Sequence, residues 1–218
     1  MEVLVKVEMK KSQRSNPNEM FWKDKKVLVT GHTGFKGSWL ALWLLKMNAI
    51  VSGISLNPDE KQNLFDQLRI KNDINHIVLD IRNKEELKKQ IQTINPDIVF
   101  HLAAQPLVVN SYKDPVGTWE TNVMGTINVL ESIRSLNKNC TGIFITTDKV
   151  YKNNEWVFGY RENDELGGYD PYSSSKAACE LAICSWRNSF VGKSNHQTPF
   201  LKIATARAGN VIGGGDWA

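Results

Sequence analysis

The chain is poor in cysteine, has no long apolar run and gathers its basic residues nowhere. Three cysteines stand in 218 residues, Cys140, Cys179 and Cys184, an odd set without C-x-x-C spacing. Nothing in that pattern suggests a disulfide frame, so a reducing compartment, the cytoplasm, is expected. No apolar stretch approaches the roughly 20 residues that cross a bilayer, and no membrane association is expected. Basic residues outnumber acidic ones 27 to 23, a net charge of +4. That excess suits anionic small molecules. It is scattered rather than drawn into a stripe, which argues against a nucleic-acid partner. His76, His101 and His196 form no metal-like cluster and His32 sits in a turn, so no metal is expected. There is no internal repeat and no low-complexity tract.

What is present begins with Val27-Leu28-Val29-Thr30, a short buried strand, followed by a turn punctuated by Gly31, Gly34 and Gly37 and an apolar helix from about Ser38 to Met47. Glycines three apart meet three needs: a tight turn, backbone approach unobstructed by Cβ, and close packing of helix on strand. The helix N-terminus then offers free N–H groups and a positive dipole end to a pyrophosphate. Gly31, Thr33, Gly34, Phe35, Lys36 and Gly37 are therefore candidate cofactor-binding residues. Such folds usually carry an acidic residue at the end of the second strand for the adenosine ribose. Here Ser55 or Asn57 stands in that region, with Asp59 a little beyond. The choice between NAD and NADP stays open, with Lys61 and Arg69 as candidate phosphate partners or else solvated surface charges.

Further strands are expected at Ala49–Leu56, His76–Leu79, Asp97–Ala104, Gly142–Thr146 and Phe200–Ala206. A cap-like Asn83 with Glu86, then Leu87, Ile91 and Ile94, marks an amphipathic helix between the third and fourth. A long helix is expected from about Pro115 to Leu136, with Trp119, Val123, Ile127, Leu130 and Ile133 on one side. Another starts after Asp170, an N-cap followed by proline at the first helical position, and runs to about Phe190. Trp39 and Trp43, four apart on the first helix, are read as core. Strands alternating with helices predict an α/β fold, a doubly wound parallel sheet of Rossmann type, over residues 21–218. Residues 1–20 read as a loose extension. The chain stops at Gly213-Gly214-Gly215-Asp216-Trp217-Ala218, inside what reads as a loop.

Tyr172 and Lys176 lie four apart on the last long helix, so both project from one face. A phenol is a poor base at neutral pH, and an ammonium one turn away favours phenolate. Lysine can also hydrogen-bond a nicotinamide ribose.

Thr30-Gly31-x-x-Gly34-x-x-Gly37, Asp80-Ile81, His101-Leu102-Ala103-Ala104, Tyr172-x-x-x-Lys176 and Arg207-x-x-Asn210-Val211 together resemble the extended short-chain dehydrogenase/reductase family. Longer strings are similar to its branch of nucleotide-sugar dehydratases acting on CDP-glucose. These are Gly31 to Leu40, Thr147-Asp148-Lys149, Gly159 to Asn163, Gly167 to Tyr172 and Gly209 to Trp217. The resemblance implies a cytoplasmic homodimer holding NAD, with the sugar-nucleotide-binding C-terminal part largely absent from this chain. It implies Tyr172, Lys176, Thr147, Asp148 and Lys149 as catalytic residues. Tyr172 would take the hexose O4 proton, Lys149 the C5 proton, and Asp148 would protonate the departing C6 hydroxyl. Thr147, or Thr146, would hold O4. A base at position 149 has to be uncharged, which burial or nearby cations supply. By the same resemblance Asp80 accepts from the adenine amino group and Ile81 packs on its ring. Ala103, Ala104, Gln105 and Thr146 line the cofactor, with Gln105 equally readable as a loop residue, and Asn210 touches the substrate diphosphate. Relatives acting on dTDP-glucose have glutamate where Lys149 stands. The competing readings are another dehydratase or epimerase of the family, or a cofactor-binding module without turnover.

Overall fold

A computed structural model describes residues 19–58, 62–192 and 201–216. Asp59, Lys61, His196 and Phe200, singled out above, lie outside the described residues. So do residues 1–18, whereas Glu19 and Met20 belong to a short helix, α1 (Glu19–Trp22), rather than to a loose extension.

Val27, Leu28 and Val29 are wholly buried, as a strand covered on both faces must be. They form β1 (Lys26–Thr30), which pairs in parallel with β2 (Ile50–Ser55) on one side and β4 (Ile98–His101) on the other. β3 (Asn75–Val78), β5 (Cys140–Ile145) and β6 (Leu201–Ala206) complete a six-stranded parallel sheet in the order β3-β2-β1-β4-β5-β6. The order reverses between β1 and β4, and open α/β sheets bind ligands beyond the carboxyl ends of the strands at such a point.

Alternation along β1 divides the core. Leu28 faces α4 (Lys84–Ile94), α7 (Gly125–Arg134) and α8 (Pro171–Phe190), packing with Leu87, Ile91, Val129, Ile133 and Ile183. Val27 and Val29 face α2 (Phe35–Lys46) and α3 (Leu64–Leu68), packing with Ala41, Leu44 and Phe65. Truncating a buried leucine such as Leu28 or Leu87 to alanine costs about 2–5 kcal/mol. The caps expected at α4 and α8 are present: the side chain of Asn83 accepts from the Glu86 N–H, and that of Asp170 from the Ser173 N–H.

Two expectations are corrected. The helix from Pro115 is three pieces: α6 (Pro115–Trp119), a π-helical turn at Glu120–Met124, and α7. Of the expected side Leu130 and Ile133 are buried, Val123 and Ile127 are half-buried and Trp119 is exposed; Thr118, Asn122 and Thr126 are buried as well. The polar residues hydrogen-bond loops and α8, which an apolar stripe could not do. Trp39 and Trp43 are about half exposed rather than core, because α2 packs through Ala41 and Leu44. A short helix, α5 (Val108–Lys113), precedes α6. Among the described residues no helix is long and apolar enough to cross a membrane, and no three potential metal ligands cluster.

Candidate active site

β1 runs into Gly31, whose φ of +76° favours glycine, and a Cβ there would stand 2.7 Å from the Ala103 nitrogen. A Cβ at Gly37 would collide with the Gly31 carbonyl oxygen. Gly34 differs. Its φ is an ordinary −76°, and an added Cβ would meet only the Gly31 oxygen, at 3.4 Å. The fold requires glycine at 31 and 37 but not at 34, which leaves bare backbone at the surface. Gly34 is also the N-cap of α2 and supplies no side-chain cap. A diphosphate fits this cradle, an uncapped helix start approached without a Cβ in the way. At the end of β2 the Ser55 hydroxyl lies 2.6 Å from that of Thr33, which is 2.9 Å from the Leu56 carbonyl. Hydroxyls occupy this position, and Asn57 beside them is exposed. Arg69, the left-handed C-cap of α3, is exposed as well. Burial lowers the pKa of Lys36, and its charge reaches Lys176.

Ala103 and Ala104 form the facing wall at the end of β4, half-buried. A buried bracket sets them: the Ala103 N–H donates to the Thr30 hydroxyl at 3.3 Å, which lies 2.7 Å from His101 Nδ1. His101 Nε2 lies 3.0 Å from the Thr126 hydroxyl. Burial, and then the Lys176 charge, push His101 down to about 3. Gln105 is a loop brace rather than a side chain aimed at a ligand. Its amide donates to the Leu107 carbonyl and the Thr118 hydroxyl, and its carbonyl accepts from the Leu107 N–H.

The acid–base groups converge beyond β5. Thr147 caps a 3-10 turn at Asp148–Val150; its hydroxyl donates to Asp148 Oδ1 at 3.1 Å and stands beside the Tyr172 phenol. Lys149 Nζ lies 3.5 Å from Asp148 Oδ1 and donates to Asn210 Oδ1 at 3.3 Å. Thr147, Asp148, Lys149, Tyr172 and Asn210 thus share one cluster. The Lys149 side chain is 44% exposed, so burial does not supply the desolvation expected at that position.

The pairing of Tyr172 with Lys176 needs correction. Burial, followed by the carboxylates of Asp148 and Asp170, pushes the phenol above its ordinary value despite the neighbouring Thr147 hydroxyl. Lys176 is buried, with its pKa lowered by desolvation, and donates to the Ile145 carbonyl at 3.1 Å. Thr146 also departs from expectation: its hydroxyl is buried and donates to Glu180 Oε1 at 2.5 Å. Asp80 is held by Arg82, with contacts as short as 2.6 Å that keep its pKa low, so an adenine amino group must share the carboxylate. Ile81 is buried against Gly125 and belongs to the core, not to an exposed ring platform.

Two residues escaped the sequence reading. Asn122, in the π-helical turn, accepts from the Gln105 N–H at 2.8 Å and donates to the Ser175 hydroxyl at 2.9 Å, tying the β4 loop to α8. Glu180 pairs with Arg207 at 2.9 Å behind Thr146. Spacing held the signal for both: Thr118, Asn122 and Thr126, and Tyr172, Lys176 and Glu180, each recur every fourth residue.

A family model described as GDP-mannose 4,6 dehydratase matches residues 28–200. The chain belongs to that family. Within it, the chain is 50% identical over 198 residues to CDP-glucose 4,6-dehydratase of Salmonella typhimurium, covering 91% of this chain and 55% of that protein. It is 33% identical to CDP-paratose 2-epimerase of Salmonella typhi, over 76% of this chain and 54% of the relative. Among solved structures, UDP-glucose 4-epimerase of Thermus thermophilus in complex with NAD superposes with a TM-score of 0.68. It is 26% identical, over 83% of this chain and 54% of that one. The chain therefore spans about half the length of the GDP-mannose 4,6 dehydratase family relatives it matches.

Proposed function

We propose that the full-length protein is an NAD-dependent hydro-lyase that converts CDP-D-glucose to CDP-4-keto-6-deoxy-D-glucose and water. The observation that carries this reading is the cluster of Tyr172, Thr147, Asp148 and Lys149 beyond β5, on a chain half identical to a CDP-glucose 4,6-dehydratase.

Gly31, Thr33, Gly34, Phe35, Lys36, Gly37, Ala103 and Ala104 would hold NAD, with Asp80 at the adenine end and Tyr172 and Lys176 at the nicotinamide end. Bound NAD supplies reversible hydride uptake from the hexose, from C4 and later back to C6. The chain's own residues move the protons. Tyr172 would take the O4 proton as phenolate, a form that the positive charge of a bound nicotinamide would favour over the neutral phenol of the free protein, while the Thr147 hydroxyl holds that oxygen. The 4-ketone so formed acidifies the C5 proton. Lys149 removes it and later returns a proton to C5, and Asp148 protonates the C6 hydroxyl, which leaves as water. Asn210, bonded to Lys149, would touch the substrate diphosphate.

The assembly proposed is a cytoplasmic homodimer in deoxysugar synthesis for lipopolysaccharide or a similar polysaccharide. A groove of about 340 Å³ lined by Pro115, Val116, Trp119, Glu120, Val123 and Met124 supports the dimer, as a largely apolar face a second copy would cover.

The test is to incubate full-length protein with CDP-glucose and NAD and follow the alkaline absorbance of the 4-keto product. In the Lys149→Met variant hydride transfer from C4 should survive and C5 deuterium exchange should vanish. Unchanged exchange removes Lys149 from its role. An epimerised sugar without the 4-keto-6-deoxy product would favour the epimerase reading.

A further inference from the structure

We propose that Trp39 is a positioning residue: its indole N–H latches the loop after β6 onto α2, so one strap, residues 207–216, sets the acid–base cluster relative to the dinucleotide turn. For its consequence in turnover this rests on the reading above; the latch itself does not.

The strap is fastened at both ends. At its start Arg207 is held by Glu180 and by the Tyr151 hydroxyl, 2.7 Å away. The Asp148 N–H donates to the Ala208 carbonyl at 3.1 Å, and a Cβ on Gly209 would stand 3.2 Å from Asp148 Oδ2. Asn210 then accepts from Lys149. At its far end the Gly214 carbonyl accepts from Trp39 Nε1 at 2.9 Å. Gly213 lies on the Phe35 ring, where a Cβ would stand 3.3 Å from Cζ. Gly215, at φ +91°, presses against Leu64. Between these anchors Val211 is half exposed, and Ile212 is 96% exposed. An isoleucine held out in solvent is what a short span fixed at both ends produces.

Sheet order makes the strap a bridge. It leaves β6 at the sheet's edge and reaches the helix that follows β1, so it crosses beyond the carboxyl ends of β5 and β4, where the ligand crevice lies. Phe35 and Trp39 both stand in the first turns of α2, beside the glycine turn. A dinucleotide that orders the turn therefore orders the far anchor of the segment carrying Asn210. This also accounts for a tryptophan left 44% exposed on a helix whose core face is made by other residues.

The test is amide hydrogen exchange on full-length protein, wild type and Trp39→Phe, with and without NAD. Loss of the N–H should speed exchange at residues 209–215 about tenfold. NAD should slow both 31–38 and 209–215 in the wild type, but only 31–38 in the variant. In turnover, KM for CDP-glucose should rise about tenfold while kcat falls less than about threefold; mere loss of folded protein would lower kcat and leave KM alone. Equal exchange at 209–215 in the two proteins overturns the latch. Should Trp39→Phe not fold, the wild type decides: NAD that slows 31–38 but leaves 209–215 unchanged also overturns it. NAD that fails to slow 31–38 counts against the dinucleotide site instead, and exchange without NAD then decides the latch.

Discussion

The Tyr172 phenol stands beside the Thr147 hydroxyl, where the first turn of α8 packs on the segment that leaves β5. Lys176, one turn along the same helix, turns its ammonium to the Ile145 carbonyl. The phenol therefore faces two carboxylates, Asp148 and Asp170, in a partly buried setting, and both burial and charge favour its neutral form.

Tyr172 should accordingly remain protonated at neutral pH in the substrate-free protein. An ultraviolet difference titration of wild type against Tyr172→Phe should show this phenol ionising above its ordinary range, near pH 10. Phenolate absorbance lost in the variant already below pH 9 would contradict the geometry. In full-length protein Tyr172→Phe should lower kcat by about 10²–10⁴-fold, with the NAD dissociation constant changed less than about threefold.

Gly34 and Gly37 should separate binding from folding. Gly37→Ala drives a Cβ into the Gly31 carbonyl and should cost about 1–3 kcal/mol in urea denaturation. Gly34→Ala meets only an ordinary contact and should change stability by less than about 0.5 kcal/mol. Its NAD affinity, read by calorimetry, should nonetheless fall at least about tenfold, because the new methyl stands at the helix start. Retained affinity would place the diphosphate elsewhere.

Acid should weaken the fold before carboxylates titrate. Desolvation lowers His32 to about 4 and His101 to about 3, whereas unfolded imidazoles titrate near 6.5. Between those values the unfolded chain binds more protons than the folded one, so stability present above pH 6.5 is lost as pH falls. The two together should remove up to about 4 kcal/mol between pH 7.5 and 5, seen as a lower urea midpoint. His101→Gln should shrink that pH dependence by about half. Equal wild-type midpoints at both pH values would contradict the burial of these rings.

Glu180 and Arg207 should behave as a unit. Burial raises and hydrogen bonds from Arg207 and Thr146 lower the Glu180 pKa, with a net decrease that keeps it charged. Glu180→Ala leaves Arg207 with the Tyr151 hydroxyl and the Glu162 carbonyl and takes the acceptor from Thr146, and should cost about 1–3 kcal/mol. The double change Glu180→Ala/Arg207→Met should cost less than the sum of the single changes by about 1–3 kcal/mol, measured as a double-mutant cycle.

Much of this was legible in the chain because it is local. Apolar strands alternating with helices, the Asp170-Pro171 start of α8 and the Asn83 cap depend on residues within a few positions of each other, and the structure has them. So does the spacing of Gly31, Gly34 and Gly37, although only coordinates distinguish glycines the fold needs from the one it does not. The periodicity from Pro115 found Leu130 and Ile133 but missed the buried Asn122 and Thr126, whose partners come from Gln105, His101 and α8, distant in sequence.

By itself the sequence determined the strand–helix alternation, the glycine turn and the shared helix face of Tyr172 and Lys176, because backbone sterics and helical period act over a few residues. Tertiary structure alone decided that Lys176 serves Ile145, that Thr146 serves Glu180, that Ile81 is core and that Trp39 reaches Gly214. A side chain's hydrogen-bond partner and solvation depend on which distant segments the sheet order brings beside it, and no local spacing encodes that.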